Sequence, residues 1–114
     1  MKIENYIWGA LEVGGKIYTR DLKLFGEQVF SNWWRKEGHF LYREDIQDIL
    51  VLKPDYLVIG SGFYGLMRID PELEEYLQKN GINYFISDTS SAVNKYNELV
   101  QEGKKVAGCF HLTC

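Results

Sequence analysis

Proline and cysteine are scarce in this sequence, which has two of each among 114 residues. So few cysteines exclude a disulfide framework as the source of stability. Cys109 and Cys114 lie in one apolar stretch, and on a strand their odd separation points them to opposite faces. Because a disulfide between them would break that strand, we expect two reduced thiols and a cytoplasmic location.

Long apolar runs and clusters of positive charge are also absent from the sequence. No run approaches the ~18 residues that a membrane-spanning helix needs. The first residues, Met1–Asn5, lack the pattern of a signal peptide. The net charge is −3 at pH 7, with acidic and basic residues interspersed. We therefore expect neither a membrane nor a nucleic-acid partner.

The sequence does contain enough apolar residues to form a core of its own. Hydrophobic residues make up 46% of the chain and aromatic residues 15%. A length of 114 residues is typical of one domain, so residues 1–114 are interpreted as a single domain. A chain of this size and composition needs neither disulfides nor a metal ion in order to fold.

The N-terminal third of the chain favours β-structure. Leu11–Val13 and Lys16–Tyr18 are alternating runs on either side of Gly14-Gly15. Two glycines suit the positive φ angles of a two-residue hairpin turn, so we predict a β-hairpin here. Leu22 and Leu24 continue the alternation, whereas the stretch that follows fits no regular pattern.

The C-terminal two-thirds of the chain contains three predicted helices. Apolar residues at helical spacing over 46–50 indicate the first. The second begins at Asp70-Pro71, a capping carboxylate followed by proline in the first turn, and ends at Asn80-Gly81. The third begins at residues 88–90, which offer further caps, and ends at Gly103.

Short apolar runs at 56–59, 82–87 and 106–112 are predicted strands that alternate with these helices. Helical crossovers between neighbouring strands imply parallel pairing and right-handed connections. The predicted fold is therefore α/β, with an N-terminal β-hairpin region and a βαβαβ C-terminal part in a mixed, partly parallel sheet.

The stretch VIGSGFYG contains Gly60, Gly62 and Gly65 at the spacing of a dinucleotide-binding turn. Asp88 falls in a suitable place to bind a ribose. However, a dinucleotide site needs a helix that opens on the last glycine, and the helix-start pattern comes later, at Asp70. We therefore favour a structural role, in which the glycines turn the chain off a buried strand, and we predict no cofactor.

Patches along nearly the whole chain match one known family of small domains. They are Trp8–Tyr18, Trp34-Arg35, Gly38-His39, Leu57–Gly62, Tyr76–Ile82, the group Thr89, Ala92, Tyr96 and Asn97, and His111–Cys114. On these residues the chain resembles the MTH nine-three-eight-like family, which includes adipogenesis-associated domain proteins and a mitochondrial complex I assembly factor. The resemblance implies a small α/β domain with no established catalytic residues or cofactor. It favours a non-enzymatic protein-interaction or assembly module.

An alternative function follows from the predicted parallel strands. Their carboxyl ends meet at one edge of the sheet, where ligands of open α/β folds bind. A helix N-terminus at the same edge attracts anions. This alternative is a domain that binds, or an enzyme that acts on, a small anionic or polar metabolite. Its predicted ligand-binding residues are Gly60, Ser61, Gly62, Asp88, Thr89, Ser90 and His111. The competing interpretation is that Asp88, Thr89 or Ser90 only caps its helix.

Cys109 and His111 share a strand face and suggest a nucleophile–base pair. Residues two apart on a strand are separated by ~7 Å, too far for a direct hydrogen bond. A metal site formed by these two residues and Cys114 is disfavoured, since Cys114 points to the other face unless the strand ends early. We predict no catalytic residue and no metal ligand.

Aromatic residues could also provide a surface for a protein partner. Trp33 and Trp34 are adjacent, so they cannot both face the same core on most backbones, and one of them is the predicted surface anchor. Trp8, in contrast, is expected to pack in the core.

Overall fold

A five-stranded mixed sheet forms the centre of the fold in the computed structural model, which describes residues 1–114. The strands are β1 (Ile3–Ile7), β2 (Ala10–Val13), β3 (Lys16–Tyr18), β4 (Leu22–Phe25), β5 (Gln28–Phe30), β6 (Phe40–Leu41), β7 (Tyr56–Ser61), β8 (Arg68–Ile69), β9 (Asn83–Ser87) and β10 (Val106–His111). The helices are α1 (Gln47–Leu50), α2 (Pro71–Lys79) and α3 (Thr89–Gln101), and a 3₁₀ helix, Arg43–Ile46, leads into α1.

The order of strands in the central sheet is β5-β4-β10-β7-β9. β10, β7 and β9 are parallel, whereas β4 runs antiparallel to β10 and to β5. The predicted α/β fold with a βαβαβ C-terminal part is confirmed. β7 and β10 are buried along almost their whole length because structure covers both faces of the sheet, which explains their continuous apolar sequences.

Two smaller sheets complete the molecule. β1, β2 and β3 form an antiparallel meander, and Leu11 pairs with Tyr18 across the predicted hairpin. β6 and β8 form a short parallel pair. The hairpin prediction is therefore confirmed, while β6 and its pairing were not predicted.

Local capping sets the starts of the two longer helices. The Asp70 carboxylate accepts a hydrogen bond from the Glu72 backbone N–H at 3.2 Å, and Pro71 occupies the first turn of α2. The Asp88 carboxylate accepts from the Ser91 N–H at 3.0 Å at the start of α3. Both predicted helix starts are confirmed. None of the helices is long and apolar enough to cross a membrane.

The core is divided between the two faces of the central sheet. One half lies under α3 and contains Tyr96 and Phe110, whose rings meet edge to face at 5.6 Å. The other half lies under α1 and α2 and contains Cys109. Burial raises the pKa of the Cys109 thiol to about 12, so this cysteine is a neutral core residue.

The expectation that Trp8 packs in the core is wrong, because 56% of its surface is exposed. It lies in the turn between β1 and β2 rather than on the inner face of a strand. Gly9, which follows it, has a φ of 78° and donates its N–H to the Leu112 carbonyl at 2.8 Å. The turn therefore packs through its backbone, and the indole points away from the core.

Candidate functional site

The polar residues at the ends of the parallel strands mainly bond to one another. The Thr89 hydroxyl accepts from the Gly62 N–H at 2.9 Å and donates to the His111 carbonyl at 2.6 Å. The Ser61 hydroxyl donates to the Ser87 carbonyl at 2.9 Å. A Cβ added at Gly60 would lie 2.8 Å from the Thr89 hydroxyl oxygen, so no space remains there. These contacts fasten the strand ends to the start of α3.

The other predicted ligand-binding residues lie apart from one another. Asp88 caps α3, and the hydrogen bond from the Ser91 N–H is the main reason that its pKa is lowered. Ser90 is exposed beside a polar groove next to β1. His111 lines a different cleft, on the side of β4. Ligand binding by this set stays a prediction, and the structure does not bring all its members together around one cavity.

The glycine motif instead builds a tightly bonded turn, residues 62–66, which we call the aromatic loop. The Gly62 carbonyl accepts from the Thr89 N–H at 2.9 Å and from the Gly65 N–H at 3.1 Å. The Phe63 N–H donates to the Thr113 carbonyl at 3.2 Å, and the Leu66 N–H to the Cys114 carbonyl at 3.4 Å. The loop is therefore anchored both to α3 and to the chain after β10.

The side chains of the aromatic loop point outwards. Phe63 is 38% exposed, Tyr64 69% and Leu66 57%. The Phe63 ring packs edge to face on Tyr64 at 5.1 Å and lies 6.2 Å from the Tyr6 ring. Positive φ angles at Gly62 (109°) and Gly65 (69°) make this turn possible. Because α2 begins only at Pro71, the motif does not lead directly into the helix that follows it in the chain, as a dinucleotide-binding turn does.

Trp33 and Trp34 face opposite ways, so only one of these adjacent residues lies in the core, as predicted. Trp34 is 81% exposed, whereas Trp33 is buried and donates its indole N–H to the Asp45 carbonyl at 2.8 Å. The Arg35 guanidinium stacks on the Trp33 ring at 4.6 Å. Trp34 is therefore the exposed member of the pair, and its role as a surface anchor for a partner stays a prediction.

A buried charged cluster, which the sequence analysis did not predict, lies at the end of β10. Asp21 Oδ2 is 2.6 Å from Arg35 Nη1 and 2.6 Å from His111 Nδ1. Asp21 Oδ1 accepts from the Leu112 N–H at 2.8 Å. Burial alone would raise the pKa of the Asp21 carboxyl. Its hydrogen bonds with His111 and with two further donors outweigh burial and hold that pKa below its usual range.

The ionised Asp21 carboxylate places a proton on His111 Nδ1. A carboxylate only accepts hydrogen bonds, so His111 Nδ1 carries a proton and donates it to Asp21. Arg35 Nη2 lies 3.1 Å from the same nitrogen. Both atoms carry protons, so this contact is not a hydrogen bond, and Nη2 donates instead to the Gly38 carbonyl at 2.9 Å. His111 Nε2 is buried without a hydrogen-bond partner.

Non-local pairing brings these residues together. Phe110 lies opposite Leu22 in the antiparallel β4–β10 pair, which places Asp21 beside His111. Arg35 comes from the stretch that fitted no regular pattern. The only indication in the sequence that Arg35 has a role was its position in one of the patches that resemble a known family.

An open cleft of about 610 Å³ lies beside this cluster. Its lining includes Arg20, Asp21, Asn32, Trp34, His111 and Thr113. Arg20 is exposed and forms no ion pair, whereas Arg35 is neutralised by Asp21. The cleft therefore presents a positive charge and an exposed indole.

The end of the chain also differs from the expectation for a continuous strand. β10 ends at His111, and Cys114 has a φ of 41°, so Cys114 is not held on the opposite face. Its Sγ and one ring nitrogen each of His39 and His111 lie within 4.8 Å of one another. Cys109 takes no part in this group, because its Sγ faces the Val58 carbonyl in the core.

Comparison with known proteins places the chain in a family. The model of "Protein of unknown function (DUF498/DUF598)" matches residues 3–111. The conserved hypothetical protein PH1505 from Pyrococcus horikoshii is 24% identical, with 100% of both chains covered and a TM-score of 0.84. The solved structure MT938 is 24% identical over 99% of this chain and 98% of its own, with a TM-score of 0.80.

A third structure carries the name of the fold. It is a Mth938-like domain from Bordetella pertussis, 20% identical over 97% of this chain and 85% of its own, with a TM-score of 0.68. These likenesses show a shared fold, and they agree with the resemblance found in the sequence. The chain belongs to the DUF498/DUF598 family of proteins of unknown function and has the Mth938-like fold.

Proposed function

We propose that this chain is a non-enzymatic protein-interaction module that binds a partner protein through the aromatic loop. The observation that carries the proposal is a turn with its backbone bonded at four points and its three large apolar side chains in solvent. Exposed apolar side chains that lie together on a surface are typical of protein-binding sites.

The rigidity of the loop supports this function energetically. Ordering a flexible segment on binding costs ~0.5–1.5 kcal/mol for each immobilised side chain, and a preorganised loop avoids part of that cost. Aromatic residues are also enriched among the few residues that dominate binding energy. Phe63 and Tyr64 support each other by ring contact, so they present one continuous apolar surface. Trp34 offers a further exposed aromatic side chain outside the loop, whereas Trp33 is buried.

We expect a Tyr64→Ser/Leu66→Ser double variant to reduce capture of the partner from native extract by at least about tenfold, as loss of a binding hot spot does. Both side chains are exposed, so the fold is retained. The measurement is quantitative mass spectrometry of proteins that co-purify with the full chain.

The matched control is Ile17→Ser/Val51→Ser, which removes two apolar side chains of similar exposure elsewhere. It leaves capture unchanged if the loop carries the binding. Equal recovery of every co-purifying protein by wild type and the loop variant would overturn the proposal. Sedimentation of the wild-type chain alone tests whether the partner is a second copy of this chain.

A second candidate function is binding of a small carboxylate in the cleft beside His111. The observation that favours it is Arg20, which lines this cleft without a carboxylate partner, together with the exposed Trp34 in the same lining. Charge-assisted hydrogen bonds to a guanidinium are stronger than hydrogen bonds between neutral groups, and an indole face can cover a planar ligand.

In a thermal-shift screen, we expect at least one small carboxylate to raise the midpoint temperature of unfolding of the wild-type chain. The shift disappears in Arg20→Gln and persists in Arg68→Gln, since Arg68 lies outside the cleft lining. No stabilising carboxylate, or the same shift in both variants, would exclude this second function.

A further inference from the structure

We propose that His39, His111 and Cys114 bind a divalent transition-metal ion, with Zn²⁺ as the ion that best suits the donor set. Two imidazole nitrogens and a thiolate sulfur are the ligands that zinc prefers in proteins. The inference goes beyond the proposed interaction function, because none of the three ligands belongs to the aromatic loop.

The spacing of the donor atoms fits such a site. The three atoms lie within 4.8 Å of one another. With Zn–N distances of ~2.0–2.1 Å and a Zn–S distance of ~2.3 Å, neighbouring nitrogen and sulfur ligands of a tetrahedral site are about 3.3–3.6 Å apart. A contraction of at most roughly 1.5 Å completes the site. His39 is exposed, so its ring can rotate to provide this change.

His111 supplies the independent evidence for a ligand. Its Nε2 is buried and unpartnered, a costly state for a polar atom. Its Nδ1 donates to the Asp21 carboxylate at 2.6 Å. A carboxylate on the far nitrogen orients a metal-bound histidine and makes it a better ligand. The Asp21–His111 pair therefore has the geometry that supports a metal on Nε2.

The charge of the ligand set also supports a cation, although the adjoining cleft contains the unpaired Arg20. Asp21 neutralises the neighbouring Arg35, and the Cys114 thiolate adds one negative charge at the metal. Three protein ligands leave a fourth position of a tetrahedral zinc ion for water or another small ligand. Cys109 is not available as that ligand, since it lies in the core.

The test is titration of the reduced, metal-free full chain with Zn²⁺ by calorimetry and with Co²⁺ by absorption spectroscopy. We expect one ion per chain, and a thiolate-to-cobalt charge-transfer band. His39→Ala and Cys114→Ser each lower the affinity by at least about tenfold, and Cys114→Ser abolishes the band. These two side chains are not in the core, so both variants fold.

Cys109→Ala is the matched control, because it removes the other thiol and is expected to keep both the stoichiometry and the band. The proposal is overturned if the wild-type chain shows no binding heat and no charge-transfer band. It is also overturned if His39→Ala and Cys114→Ser bind both ions as tightly as the wild type.

Discussion

Replacing Asp21 with alanine is expected to lower the free energy of unfolding by about 3–5 kcal/mol, as removal of one partner from a buried ion pair does. Arg35 has 5% of its side chain exposed, so it would remain buried without a compensating charge. His111 Nδ1 and the Leu112 N–H would lose their acceptor as well. Because small domains are stable by only ~5–15 kcal/mol, this loss is a large part of the total.

Urea denaturation followed by tryptophan fluorescence measures this effect. The control is Asp55→Ala, which removes an exposed carboxylate without a side-chain partner and is expected to change stability by less than ~0.5 kcal/mol. The double variant Asp21→Ala/Arg35→Met should lose less than the sum of the single losses, because it leaves no unpaired charge. Equal effects of Asp21→Ala and Asp55→Ala would contradict the role assigned to the charged cluster.

Gly62→Ala is expected to destabilise the chain by about 3–5 kcal/mol, from backbone strain and overpacking together. The φ of 109° lies outside the range that residues with a Cβ readily adopt. The new Cβ would also lie 2.5 Å from the Thr113 carbonyl oxygen and 2.7 Å from the Cys114 carbonyl carbon. Both are backbone atoms, so the contact is relieved only if the anchored chain end moves.

Gly65→Ala separates the two causes. Its φ is 69°, but the nearest atom to an added Cβ is 3.6 Å away. Strain alone then gives a loss of about 1–2 kcal/mol. In thermal or urea unfolding, Gly62→Ala should be clearly less stable than Gly65→Ala. The reverse order would show that close packing against residues 113–114 does not hold the loop.

The parts of the fold that local chemistry determines could be predicted from the sequence. Asp70-Pro71 and Asp88 mark helix starts through hydrogen bonds to their own neighbours in the chain. Continuous apolar runs identify β7 and β10 because strands buried on both faces need no polar residues. These local rules also indicated that the glycine motif does not open a helix.

The charged cluster could not be predicted, because it depends on long-range pairing. No local pattern indicates that β4 lies beside β10, and this pairing alone brings Asp21 to His111. Arg35 and His39 come from a segment without periodicity, so their positions are set by tertiary contacts. His39 was therefore absent from the predicted sites.

The strand-end residues illustrate a second limit of sequence reasoning. A threonine at a helix start can bind a ligand, or it can fasten the helix to its neighbours. Thr89 is fully buried and bonds to Gly62 and His111, so it fastens the start of α3 to the strand ends, while ligand binding by this residue stays a prediction. Neither its burial nor these bonds can be read from the residue type.

The proposed binding function requires that the glycine motif builds a rigid loop whose aromatic side chains are exposed before a partner binds. Backbone ¹⁵N relaxation of the free full chain, compared between residues 63–66 and β7, measures this rigidity. We expect order parameters of about 0.85 in both segments, the value of rigid backbone. Values below about 0.6 in residues 63–66 alone would contradict this expectation, because the loop would then be flexible before binding.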